Sequence, residues 1–221
     1  MPGREILIAA AAFALWVGQG GEVFAQDAEK DGRFYARAFG GLSTLGDADV
    51  RVNSSRASGS FSGGLLAGGA VGYDYAGPWR AEIEYVYRSS SVEGLPATFA
   101  REGDYASTAI MLNGLYSFGK LGALRPYVGA GVGFTREVDF DLTSSGPAAP
   151  PPSAVGEYSE SGLFAYQAIA GADIAFGDRW SGFGELRAFA VNSPSLPGTA
   201  GRTLTADYQA VDFLVGLSVA F

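Results

Sequence analysis

Trp79-Arg80-Ala81-Glu82-Ile83-Glu84-Tyr85-Val86-Tyr87-Arg88 sorts its side chains into two sets by alternation. Trp79, Ala81, Ile83, Tyr85 and Tyr87 share one face of an extended chain; Arg80, Glu82, Glu84 and Arg88 share the other. A period of two marks a β-strand set between unlike environments. Alternation alone does not say which face is outside, because a soluble barrel has an apolar interior and a polar exterior. In a membrane barrel the order inverts: a basic side chain facing lipid at mid-bilayer costs ~2–4 kcal/mol, so the charged face turns inward.

The end of the chain repeats the pattern. Val211, Phe213, Val215, Leu217, Val219 and Phe221 lie on one face, against Ala210, Asp212, Gly216 and Ser218. Between these two stretches the whole region from Arg33 reads in period two, with strands predicted over 33–43, 61–75, 79–91, 105–118, 125–139, 162–176, 180–191 and 207–221. Short connections alternate with long ones. The short ones are Ala76-Gly77-Pro78, Gly119 to Leu124 and Gly177-Asp178-Arg179; the long ones cover 44–60, 92–104, 140–161 and 192–206. The third long connection holds Gly146-Pro147-Ala148-Ala149-Pro150-Pro151-Pro152, and proline brings no N–H to a ladder.

The fold class expected is all-β: an eight-stranded antiparallel up-and-down transmembrane β-barrel. The cause is the solvent, since hydrocarbon satisfies no backbone N–H or C=O and a sheet must close on itself there. Short hairpins fit the periplasmic side and long loops the exterior. Aromatics give an independent check: Tyr75, Trp79, Phe118, Phe176, Trp180 and Phe221 all fall beside the short turns, where an interfacial girdle belongs. The seventh strand does not sort cleanly. Phe183 and Phe189 share the parity of Glu185 and Arg187, so either a bulge resets the register or the lumen holds aromatics.

Composition narrows the function. The 221 residues are 48% hydrophobic and 17% charged, with 33 glycines, which excludes a disordered chain. A net charge of −8 opposes nucleic-acid binding. With neither Cys nor His, the commonest thiol nucleophile, general base and metal ligand are all missing. No catalytic, cofactor-binding or metal-binding residues and no cofactor are therefore expected, and the protein is read as not an enzyme.

Residues 1–25 read as an export signal, with Arg4 before an apolar run from Ile6 to Val17 and a small-x-small site at Val23 and Ala25. Cleavage is expected between Ala25 and Gln26, leaving 26–32 as a polar tether and 33–221 as the barrel. Twelve apolar residues make ~18 Å of helix, short of a ~30 Å hydrocarbon core. The predicted location is the bacterial outer membrane, with outer-membrane lipid as the first partner.

Several motifs carry a resemblance. Arg80-Ala81-Glu82-Ile83-Glu84-Tyr85, Met111-Leu112-Asn113 with Tyr116, and above all Arg125-Pro126-Tyr127-Val128-Gly129-Ala130-Gly131-Val132-Gly133-Phe134 stand beside the weaker Gly171-Ala172-Asp173 and Glu185-Leu186-Arg187. The chain from Arg33 to Phe221 resembles the eight-stranded outer-membrane barrel superfamily that includes opacity-type surface antigens and the membrane domain of outer membrane protein A. The resemblance implies that Phe213, Val215, Leu217, Val219 and Phe221 form the signal read by the outer-membrane assembly machinery. It also implies host or surface contact through the loops. With nothing after the eighth strand, no peptidoglycan-binding domain is expected.

The bore of such a barrel is just wide enough for side chains to fill. The lumen candidates are Arg80, Glu82, Glu84, Arg88, Asn113, Gln167, Asp173, Glu185, Arg187 and Asp212, with Glu82 and Glu84 expected to face arginines. Paired, these groups form a polar plug; the alternative is a small porin-like channel with a charged lumen. Glu82 and Glu84, two residues apart beside arginines, are an ion-pair pattern before they are an acid–base pair. The long loops carry Arg51 and Arg56 against Asp47 and Asp49, then an acidic excess of Glu93, Glu102, Asp104, Asp141, Glu157 and Glu160, the wrong sign for binding a polyanion. The function expected is a non-enzymatic surface protein that supports envelope integrity and presents four extracellular loops.

Overall fold

The computed structural model describes residues 32–45, 48–52, 55–61, 63–93, 102–143, 155–192, 195–198, 203–205 and 208–221. The expected signal segment, its cleavage site, most of the tether and the proline run of 146–152 lie outside the described residues. Thirteen strands appear among the described ones: β1 Arg33–Leu45, β2 Ala48–Val52, β3 Ser55–Phe61, β4 Gly64–Asp74, β5 Trp79–Glu93, β6 Glu102–Ser117, β7 Leu124–Thr143, β8 Gly156–Glu160, β9 Phe164–Ala175, β10 Trp180–Val191, β11 Ser195–Pro197, β12 Thr203–Thr205 and β13 Tyr208–Ala220.

The long strands pair antiparallel in a closed circuit: β1 with β4, then β5, β6, β7, β9, β10 and β13, which returns to β1. Closure leaves no edge, as a bilayer requires. The short connections are tight. Tyr75 N–H donates to Trp79 O at 3.0 Å and Phe176 N–H to Trp180 O at 2.8 Å. The longer turn at 118–123 is closed by Phe118 N–H to Pro126 O and by the pair Leu121–Leu124, with Gly122 at φ 63°, where a side chain would be strained.

Burial follows the alternation. Ile83 and Trp79 are 63% and 58% exposed, whereas Glu82, Glu84 and Arg88 are buried. On β13, Phe213, Val215 and Leu217 are exposed while Asp212 and Leu214 are buried. A girdle beside the short turns joins Phe34, Tyr73 and Tyr75 edge to face, and Trp79, Tyr116 and Phe118 likewise. A second row the sequence reading did not single out stands higher: Tyr85, Tyr87, Phe134, Phe164 and Tyr166, all exposed. Trp79 to Ser89 is ten residues, and at ~3.4 Å each with a ~40° tilt they rise ~26 Å, the height of a barrel's apolar band.

Two expectations need correction. The long connections contain strands: β2 and β3 lie in the first, β8 in the third, β11 and β12 in the fourth. β12 pairs with β2, β8 pairs with β7, and Tyr158 bridges to Gly198, so the first, third and fourth connections are tied together. Second, β5, β6 and β7 run past their predicted ends, which puts Glu93, Glu102, Asp104 and Asp141 on strands, with Glu157 and Glu160 on β8. Phe61 belongs to β3, not β4. Of the two readings left open for the seventh barrel strand, aromatics in the lumen is the one seen, and a register shift sits instead between β6 and β7. Thr108 faces Glu137 but Ala109 faces Thr135, so Arg136 is the extra residue. Beyond it parity flips: Val138 and Leu142 are buried while Glu137 and Asp141 are exposed. β10 pairs without interruption from Trp180 to Val191, and its phenylalanines face the lumen.

Candidate functional site

Each barrel strand sends alternate side chains into the bore, and the ten predicted lumen residues are all buried there. They fall into two groups. The lower group centres on Arg37, which the sequence reading missed. Its Nη1 lies 2.9 Å from Glu82 Oε1 and 2.8 Å from Glu185 Oε1, and its Nη2 donates to Tyr127 OH at 2.8 Å. Tyr127 OH donates to Glu185 at 2.6 Å, and Tyr35 OH to Glu82 at 2.8 Å. Arg80 pairs with Asp173 at 3.0 Å.

One layer higher, Arg187 joins two carboxylates, with Nη1 2.7 Å from Glu84 and Nε 2.6 Å from Glu185. Gln167 donates to Asn113 at 2.8 Å, and Asn113 to Glu84 at 3.4 Å. The upper group is smaller: Arg88 grips one Asp212 oxygen through Nε at 3.0 Å and Nη2 at 2.7 Å, and Ser43 donates to the other at 2.7 Å. Glu82 and Glu84 thus each face an arginine, as their sequence spacing suggests. At the mouth beside the short turns Arg125 meets Asp74 at 3.3 Å.

The aromatics that blurred the parity of β10 have a role. Arg37 stacks 3.4 Å from the Phe183 ring centre, Arg88 4.0 Å from Phe189, and Arg80 4.4 Å from Tyr127. A guanidinium is weakly hydrated and planar, so an aromatic face can replace part of its hydration shell. Small residues make the space: a Cβ at Gly216 would strike the Phe183 ring, and one at Gly72 the Tyr35 ring. Above Asp212 the lumen turns apolar. Val138, Leu142, Val191, Leu196, Leu204 and Tyr208 form a buried cluster reaching into the tied connections.

Chemically, the arrangement binds carboxylates to guanidiniums, Glu82 to Arg37 and Glu84 to Arg187. Among the described residues no three His, Cys, Asp or Glu side chains converge as metal ligands.

A closed antiparallel barrel with a lipid-facing apolar band and an ionic lumen is an outer-membrane β-barrel. The chain belongs to the outer membrane protein β-barrel domain family, whose model matches residues 7–221. Its place is the bacterial outer membrane. Solved structures share the fold at low identity. Neisserial surface protein A matches with 15% identity and a TM-score of 0.52, covering 85% of this chain and 97% of that one. The outer membrane protein OprG from Pseudomonas aeruginosa matches with 16% identity and a TM-score of 0.57, covering 87% and 97%. No curated protein sequence matches the chain.

Proposed function

We propose that this protein is a plugged, non-enzymatic surface barrel that stabilises the outer membrane and presents its external connections as one joined cap. The observation that carries this reading is the filled bore. Two ionic layers, held by Arg37 and Arg187, and the Arg88–Asp212 pair lie beneath a buried apolar cluster that includes Leu196 and Leu204. Moving an ion through it means breaking paired charges and then crossing apolar side chains. Contact with a host or another surface belongs to the cap, where β2, β8, β11 and β12 meet. On β13 the exposed row Phe213, Val215, Leu217 and Phe221 supports its reading as the assembly signal.

A small channel is the second reading, favoured by lumen donors with no protein partner: Arg37 Nε, Arg80 Nε and Nη2, and Arg88 Nη1. Planar-bilayer recording on the refolded protein separates the two. The plug reading expects a silent membrane. Reproducible unitary steps, altered in size by Arg88→Ala, would replace it with the channel.

A further inference from the structure

The bore does not balance its own charge. Three pairs cancel: Arg88 holds Asp212 at 2.7 Å, Arg80 holds Asp173 at 3.0 Å, and at the mouth Arg125 meets Asp74 at 3.3 Å. Left in the middle are Arg37 and Arg187 against Glu82, Glu84 and Glu185, all buried. Two guanidiniums therefore face three carboxyls, and the described residues offer no further buried cation. Arg33, at the mouth, is turned to the Asp178 carbonyl in an exposed turn. A paired charge is tolerated inside a protein, whereas an uncancelled one carries a heavy desolvation penalty.

The surplus falls on Glu84. Glu185 takes both guanidiniums, Arg37 at 2.8 Å and Arg187 at 2.6 Å, and the Tyr127 hydroxyl donates to it as well. Glu82 Oε1 accepts from Arg37 at 2.9 Å and from the Tyr35 hydroxyl at 2.8 Å. Glu84 has one short donor, Arg187 Nη1 at 2.7 Å; Gln167 Nε2 and Asn113 Nδ2 stand off at 3.5 and 3.4 Å. Arg88 and Glu82 on its own strand and Glu185 on β10 are the other charges around it.

A separate observation points to a ligand there. Gln167 is 3% exposed, and its Oε1 has no hydrogen-bond partner. Glu82 Oε2 also lacks one, but Glu82 is held by donors, Arg37 and Tyr35. Glu84 instead lies beside two amides, and an amide can turn over to present its oxygen in place of its NH2. If Asn113 and Gln167 turn together, the 2.8 Å bond between them survives with donor and acceptor exchanged. Asn113 Oδ1 then faces Glu84.

We propose that the lumen binds one small monovalent cation, a proton or Na⁺, at the Glu84 carboxyl, with the amide oxygens of Asn113 and Gln167 turned towards it. A proton needs no extra volume: the Glu84 O–H donates to Asn113 Oδ1. Na⁺, a hard ion, takes the same oxygens together with Gln167 Oε1. A divalent ion would overshoot a surplus of one, and among the described residues no three acidic groups converge as ligands. The charge count is the same in a silent bore and a conducting one, so this site is tested apart from bilayer recording.

The experiment uses the full barrel refolded in phosphatidylcholine vesicles in neutral buffer. Glutamate labelled with heavy carbon at its side-chain carboxyl marks the infrared carbonyl stretch of any protonated glutamic acid. Urea unfolding is followed in sodium chloride and in choline chloride at equal ionic strength. A bound proton gives one isotope-shifted band and no preference for sodium. Bound Na⁺ gives no band, but an unfolding midpoint that rises when sodium replaces choline. Either signal should vanish in Glu84→Gln, which keeps the shape of the carboxyl and removes the surplus; its migration in unheated detergent confirms that it folds. Asn113→Leu locates the site: it should shift the band, through loss of the acceptor, or weaken the sodium effect. Neither signal in the parent, a signal that survives Glu84→Gln, or one untouched by Asn113→Leu would overturn the proposal.

Discussion

Arg37 joins more of the lumen than any residue singled out from the sequence. It touches Glu82, Glu185 and Tyr127 and lies flat on Phe183. Removing one member of a buried ionic network leaves its partners charged and unpaired, which costs ~3–5 kcal/mol. Arg37→Ala should lose about that much stability when urea unfolding is followed in phospholipid vesicles. Changing Glu82 and Glu185 to Gln in the same background should restore much of it; no recovery would mean that Arg37 acts through packing on Phe183 rather than through charge. Arg37 was legible in principle. It shares parity with Tyr35 and Phe39, and that mixture of one charge with two aromatics hid it, since sorting by polarity expects rings to face lipid. Phe183 and Phe189 posed the same problem on β10. Only the partner across the bore, a guanidinium from another strand, explains why a ring turns inward, and alternation along one strand carries no record of what lies opposite.

Strands long enough to cross a membrane announce themselves by repetition, and the third and last predicted runs sorted into faces for that reason. The cap strands do not. β11 and β12 are three residues each and β8 five, and their pairing is set by what they meet: Leu204 opposite Val52, Tyr158 beside Gly198. Their hold is apolar, with Leu196 and Leu204 fully buried above the lumen. Leu204→Asp places a carboxylate in that cluster, where it has no partner and must find water. The hairpin of β11 and β12 should then lift off. Protease added to intact cells is expected to cut within 195–205 in the variant and to spare the parent, while the barrel still migrates as a folded species in unheated detergent. An uncut variant would mean that backbone pairing alone holds the cap. The bulge at Arg136 was equally hidden from the sequence, because its effect is to turn Glu137, Asp139 and Asp141 outward, a face reached only by counting against β6.

At the scale of the molecule, the fold inverts the arrangement of a soluble barrel, and depth in the bilayer becomes the variable that sets each position's tolerance. Ile83 lies four residues above Trp79 on β5, ~10 Å up the barrel at the same rise and tilt, near the middle of a ~25 Å apolar band. Leu65 pairs with Ser89 at the upper border of that band. Both side chains are exposed to the same degree, 63% and 66%, so a soluble protein would treat an arginine at either site alike. A membrane barrel would not. Ile83→Arg should cost ~2–4 kcal/mol of unfolding free energy in phospholipid vesicles and Leu65→Arg only ~0–1, since the penalty for a cation falls towards the interface. In detergent micelles, which deform around a charge, the gap between the two variants should shrink. If both cost the same in vesicles, the exposed face is not sorted by depth, and the apolar belt of this barrel would need another occupant than lipid.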